Sequence, residues 1–392
     1  MTGKFFRKTR SWAKGGKCCV LQQLLIFHKL SGRNVVIMNA KHRMYSIPYN
    51  GTNPKWFLQE TLKRKNNIDH VYCELPHEEM LSHVRFTFDG KNEEHVDRVD
   101  ANLKRANYIK NCVEFLRISK GLIRRICPVN AMYYRFNSQD ELHTFALNLA
   151  KAATYYQLEG LIISDYRVAA LVHALLPELE LHTSCNAYQW NLRQMEIWRE
   201  ICGITVFNPP REILRVPSKL KEMHDAGYKL KCLINEGCLM GCPNTFCHQL
   251  SISLRCYAGI HSCSQSGIAD VFRGNWILPR WQKHYDEFVD IYKIAGRNSH
   301  GSYPFTTIDA YLAEDNAMPL TDLMISGTAG FAQHCLPPEV LKTITLDKVP
   351  DKLLTCECRD CSHCNLCNKI LSSLIPQKYW ETFKFKIRVV KE

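Results

Sequence analysis

The chain has 392 residues, 46% of them hydrophobic, with 51 Lys and Arg against 38 Asp and Glu and a net charge of +13. That length can bury a large core, and it suits one barrel-sized domain with an appendage better than several equal domains. Nineteen cysteines, crowded at short spacings in a chain with no convincing secretion signal, exclude a small disulfide scaffold and point to metal or cluster binding in a reducing, cytoplasmic compartment.

The charge is uneven along the chain. Residues 1–59 carry eleven Lys or Arg and no Asp or Glu, which leaves only +2 for the other 333 residues. A nearly neutral body argues against a broad polyanion-binding face, whereas the basic arm suits RNA contact, an anionic membrane or a targeting role. Residues 1–41 are expected to be a poorly ordered basic extension. Their apolar piece, Cys18 to Phe27, is interrupted by Gln22 and Gln23 and is too short to span a bilayer. A signal-peptide core and an amphipathic transit helix both stay open for it. No other segment reads as transmembrane.

From residue 42 a regular pattern begins. Met44 to Pro48 predicts a buried strand that ends in a turn-rich segment containing Asn50, and residues 55–65 predict a helix. Ile68 to Cys73 is a second apolar run. The charged stretch Asp89 to Asp100 reads as a loop, followed by a helix to about Ser119. Strands are then expected at Ala131–Arg135, Leu161–Ser164, Leu179–Thr183, Ile204–Phe207 and Leu230–Ile234, with helices at 138–157, 166–176, 188–200 and 211–226. A strand–helix repeat of roughly 20 to 30 residues predicts parallel βαβ units, and about eight of them predict an α/β fold of the (β/α)8 TIM-barrel type.

The last of these strands feeds a cysteine-rich loop, Asn235-Glu-Gly-Cys238-Leu-Met-Gly-Cys242-Pro-Asn-Thr-Phe-Cys247-His248-Gln249. A loop at the carboxyl end of a barrel strand is where such folds build active sites. Two cysteines four residues apart can chelate one centre, and thiolates favour zinc, Cu(I) or an iron–sulfur cluster over Mg²⁺ or Ca²⁺. Buried structural thiols are the bland alternative. Other strand ends carry Asn50, Asp165, the run His182 to Asn186, and Asn208, all of which a barrel would gather on one face. Asp165 also suits a helix N-cap and Asn208 plain turn chemistry.

Several motifs together resemble peptidase family U32. They are Gly160-Leu-Ile-Ile-Ser-Asp165, Leu179-Glu-Leu-His-Thr-Ser-Cys-Asn186, Pro210-Arg211-Glu212, the Cys238/Cys242 loop with His248, and Phe288 to Arg297, in the family's order and spread over roughly residues 42–300. The family takes its name from collagenase-like peptidases, but its well-studied members are iron–sulfur proteins that hydroxylate RNA bases or ubiquinone precursors without molecular oxygen. The resemblance therefore implies a barrel-like fold holding a 4Fe–4S cluster on cysteines. It implies Cys238 and Cys242 as ligands and Cys263 as the third, ahead of Cys256 and Cys247. For the fourth it leaves Cys185, Cys335 or an open iron.

Around this centre, Arg211 can clamp a carboxylate or phosphate, Glu212 can act there or simply start a helix, and His248 is a candidate acid/base. Asp165 completes the catalytic candidates. His182, Asn186, Asn208, Lys293 and Arg297 are the candidate substrate-binding residues, the last two as an anion site beyond the final strand. In the region 301–392 a second motif stands, with Cys356 followed by Cys358, Cys361, Cys364 and Cys367 at steps of three. Ferredoxin loops use that run, so a second cluster is expected on the last four, with zinc as the rival.

The expected function is an oxygen-independent hydroxylase or related redox enzyme acting on an RNA-attached or small-molecule substrate, served by an electron donor or a homologous partner subunit. The alternatives are a peptidase of the same family and a zinc-stapled nucleic-acid-binding module. A radical adenosylmethionine enzyme is disfavoured, because Thr245 stands where its third cysteine belongs.

Overall fold

The structure is a computed structural model that describes residues 42–76, 98–253, 268–297, 299, 301–325, 332–333, 336–354, 356 and 364–376. Eight parallel strands close a barrel. In chain order they are β1 (Met44–Pro48), β2 (Ile68–Tyr72), β3 (Arg125–Val129), β4 (Gly160–Ile163), β5 (Glu180–Thr183), β6 (Ile204–Phe207), β7 (Lys229–Leu233) and, after an excursion, β10 (Ile291–Lys293), which pairs with β7 on one side and β1 on the other. The excursion is a two-stranded antiparallel sheet of β8 (Asn235–Leu239) and β9 (Gly274–Trp276). The (β/α)8 expectation holds.

The intervening helices are α1 (Pro54–Lys63), α2 (Arg98–Ile118), α3 (Gln139–Tyr156), α4 (Tyr166–Leu175), α5 (Leu192–Cys202) and α6 (Pro217–Asp225). Local chemistry sets their starts. The Asn53 side chain accepts from the Trp56 amide at 3.1 Å, and Pro54 supplies the preset φ of a first helical residue. Ser138 accepts from the Glu141 amide at 3.2 Å while Glu141 accepts from the Asn137 amide at 2.7 Å, a reciprocal cap for α3. After β7 come α7 (Thr245–Ser253), α8 (Tyr303–Ala313) and the short C-terminal helices, of which Leu366–Leu374 is the last.

Three expectations shift. The strand expected at Ala131–Arg135 lies at Arg125–Val129, and residues 131–135 belong to the connection that follows it. The sequence hid this strand behind Arg125 and Pro128; Arg125 is buried because its guanidinium pairs with Glu159 at 3.0 Å and donates to the Leu116 carbonyl at 2.9 Å. The helix expected over 211–226 is broken into a 3-10 turn, Arg211–Ile213, and α6, because Pro217 bars a helical residue before it. The helix expected from 188 starts at Leu192, where Asn191 caps it, and Cys185–Ala187 forms its own 3-10 turn.

Most of the apolar core lies between the strands and the surrounding helices, and residues Phe305, Ile308, Leu320, Leu341 and Ile370 of the 301–392 region share it. The barrel interior is different. Tyr72, Ile126 and Ile162 form a small separate apolar group there, and several buried polar side chains share the interior. Ser46 bonds His70 at 2.7 Å, and Lys231 bonds His182 at 2.6 Å. Asp69 receives the other nitrogen of His70 at 2.6 Å, and Glu180 the other nitrogen of His182 at 2.8 Å. Arg124 closes the network by pairing with both carboxylates. Each carboxylate fixes the tautomer of its imidazole, so that Ser46 and Lys231 meet an accepting nitrogen. Among the described residues no helix is long and apolar enough to cross a membrane.

Candidate functional site at the carboxyl ends of the strands

The β8–β9 sheet carries the central cysteines. It continues directly from β7: the Ile277 amide donates to the Ile234 carbonyl at 2.8 Å, and the Gly237 amide to the Ile325 carbonyl at 2.9 Å. Cys238 lies on β8, and a turn then returns the chain, with the Cys242 amide donating to the Leu239 carbonyl at 3.2 Å. Gly241 sits in this turn at φ 68°, a left-handed conformation that glycine adopts without strain. The turn thus presents two half-buried thiols, Cys238 and Cys242, from one short loop. Cys247 is exposed on α7, and His248 is half-buried beside it.

Arg211 is the polar centre of this end of the barrel. It is buried, pairs through Nε and a terminal nitrogen with Glu236, and donates from the other terminal nitrogen to Asn186 Oδ1 at 3.0 Å. Burial opposes its charge, yet Cys185 and Glu236 around it, with Cys238, hold the guanidinium more firmly protonated than usual. Glu212 is buried next to it. Asn186 also donates to the Asn130 carbonyl at 3.4 Å, which links β3, β5 and β6 at this face. Lys293 approaches from β10 with its Nζ 4.7 Å from the centre of the Tyr72 ring. Asn208, at the end of β6, is fully buried, and among the described residues both polar atoms of its side chain lack a hydrogen-bond partner.

Three sequence candidates stand apart. Asp165 caps α4, accepting from the Arg167 amide at 3.0 Å and pairing with the Arg167 guanidinium at 2.7 Å, so its carboxylate is committed to the helix start. His182 lies inside the barrel between Glu180 and Lys231, below the mouth. Arg297 pairs with the buried Glu74 beyond β2. Arg211 is bonded to Asn186 and Glu236, and Lys293, Cys185 and Cys238 lie close enough to share their charge environment. Sequence reasoning passed over Lys231 and placed Glu236, with Asn235, only among the polar strand ends that a barrel would gather on one face. For Lys231 the signal was a lysine alternating with apolar residues inside a buried strand, which demands a partner.

The donor set bears on a metal. Among the described residues no three His, Cys, Asp or Glu side chains converge as ligands. Cys238 and Cys242 are two members of the expected set, and Cys263 lies outside the described residues. Soft thiols beside a buried cation suit an anionic thiolate-bound cluster. In the tail, Cys356 and Cys364 are half-buried and Cys367 is buried, while Cys358 and Cys361 lie outside the described residues, as do the basic extension and Cys256 and Cys335.

The rim is aromatic. Tyr188 stacks with Trp190 at 6.1 Å and meets Phe246 at 5.9 Å, and both Trp190 and Phe246 are exposed. Arg167 lies over the ring of the exposed Tyr133 at 4.7 Å.

The chain is similar to proteins already known. An uncharacterized protease of Methanocaldococcus jannaschii is 27% identical over 222 residues, a match that covers 51% of this chain and spans 62% of that protein's length. A solved U32 peptidase structure aligns over 67% of this chain and 97% of its own, with 9% identity and a TM-score of 0.44. Residues 63–234, from the end of α1 to the end of β7, match the model of peptidase family U32. That match spans 172 of the 392 residues, and over this stretch the chain is similar to peptidase family U32.

Proposed function

We propose that this chain is an iron–sulfur enzyme, an oxygen-independent hydroxylase or a related redox enzyme, acting on an RNA-attached or small-molecule substrate. The observation that carries the reading is the placement of Cys238 and Cys242 on the hairpin that extends β7, beside the buried Arg211–Glu236 pair. A cluster held there would supply a redox centre or an open iron at the barrel mouth. Arg211 would orient an anionic substrate group, and the free amide of Asn208 would fix its register. The Tyr188, Trp190 and Phe246 rings support a planar substrate, since exposed aromatic rings stack bases of any sequence. The tail cysteines would hold a second cluster or a zinc ion.

A peptidase reading draws on the name of the relative in M. jannaschii. Its natural nucleophile, Cys247, has His248 as its neighbour on the same helix, and adjacent helical side chains do not face each other.

Metal and acid-labile sulfide analysis of protein purified without oxygen tests the proposal. About four irons and four sulfides per chain are expected for one cluster and about eight for two. Cys238→Ala and Cys242→Ala should each lose the central iron. Zinc without sulfide, or full iron in both variants, would reject it.

A further inference from the structure

A cleft of about 360 Å³ opens beside the amino ends of β6 and β7, at the end of the barrel away from the cysteine hairpin. That is room enough for a small ligand. Ile204, Phe207 and Tyr228 line it and are buried, while Arg199, Thr205 and Lys229 line it and are exposed. Among the described residues none that lines it is acidic.

The amino ends of barrel strands ordinarily serve stability. These two cations do not: among the described residues neither Arg199 nor Lys229 forms an ion pair or a side-chain hydrogen bond. The carboxylates of Asp69 and Glu180 at this end are already bonded to His70, His182 and Arg124. Arg199 is held by a ring instead. Its guanidinium lies over Tyr228 at 4.8 Å, and Tyr228 is fixed by the edge-on Phe207 ring at 5.0 Å and by its own hydroxyl, which donates to the Leu192 carbonyl at 3.5 Å. The fork of N–H donors is thus set in place at the cleft while its charge stays unneutralised.

We propose that this cleft binds a small phosphate monoester, with the phosphate between Arg199 and Lys229 and the carbon part against Ile204 and Tyr228. The guanidinium fork matches two phosphate oxygens, and Lys229 adds a point charge for the rest of the dianion. A carboxylate brings half that charge to the same two cations. The hydrophobic lining favours an ester over the free inorganic ion, because it gains by covering carbon. The ligand is bound without any bond being made or broken. None of these residues is a candidate cluster ligand, so the site stands apart from the iron–sulfur reading.

Phenyl phosphate is the probe, titrated by calorimetry into the full chain in phosphate-free buffer. One saturable site is expected, weakened about tenfold by Arg199→Ser and about tenfold by Lys229→Ser, and weakened further by added salt. Both side chains are exposed, so the melting temperature of each variant should stay at that of the parent. Phenol and inorganic phosphate should each bind about tenfold more weakly than the ester. Absence of saturable binding, inorganic phosphate binding as tightly as phenyl phosphate, or full affinity in both variants would overturn the proposal.

Discussion

Arg211 and Glu236 show what a single residue must bring with it to this site. Each satisfies the other's charge where water is scarce, so removing one strands its partner. Arg211→Ala should destabilise the fold by about 3 kcal/mol, measured by urea unfolding, with loss of substrate binding beyond that. The two barrel histidines make a pH prediction. Burial holds His70 neutral down to about 3, and burial together with the Lys231 charge keeps His182 well below its ordinary value. Their folded pKa values are depressed, so the unfolded chain takes up protons first as pH falls. Stability is therefore complete above about 6.5 and declines below it, by up to about 1.4 kcal/mol per pH unit for each histidine. Unfolding free energies at pH 7.5, 6 and 5 check this, and a flat profile would mean that the imidazoles charge freely in the folded barrel.

At the scale of elements, β4 passes close to β5. A Cβ built on Gly160 would lie 2.4 Å from the Glu180 carbonyl oxygen, a backbone atom that cannot turn aside. Gly160→Ala should force the two strands apart and cost about 1 to 3 kcal/mol, visible as a lower urea midpoint. Asp165 is argued at the same scale, because the helix start uses its carboxylate. Asp165→Ala should lower stability by about 1 kcal/mol while iron content and any activity per folded molecule persist. Loss of activity in a fully folded variant would restore it to the catalytic set. The elements that sequence reasoning placed correctly were those with plain alternation and caps, such as α3 with its Ser138 and Glu141 pair. It misplaced β3 because Arg125 and Pro128 contradict a buried strand until Glu159 and the Leu116 carbonyl supply partners.

At the scale of the whole molecule, the barrel core and the cysteine hairpin are separate in their chemistry. The core between strands and helices contains neither Cys238 nor Cys242. Under the proposed iron–sulfur reading, Cys238→Ala should lose the cluster's iron yet keep the far-ultraviolet dichroism of the folded barrel; a variant that unfolds would make the cluster a structural staple instead. The sequence by itself determined the repeating strand–helix order, and hence the barrel, because alternation and turn chemistry are local. It also determined that the cysteine loop follows a buried strand, because the loop is contiguous with that strand. Only the tertiary structure decided which polar strand ends meet. His182 turned inward to Lys231, Asp165 to its own helix and Arg297 to Glu74, while Arg211 found Glu236 and Asn186. Those pairings join residues far apart in sequence, and a buried charge goes to the partner that the closed barrel sets beside it.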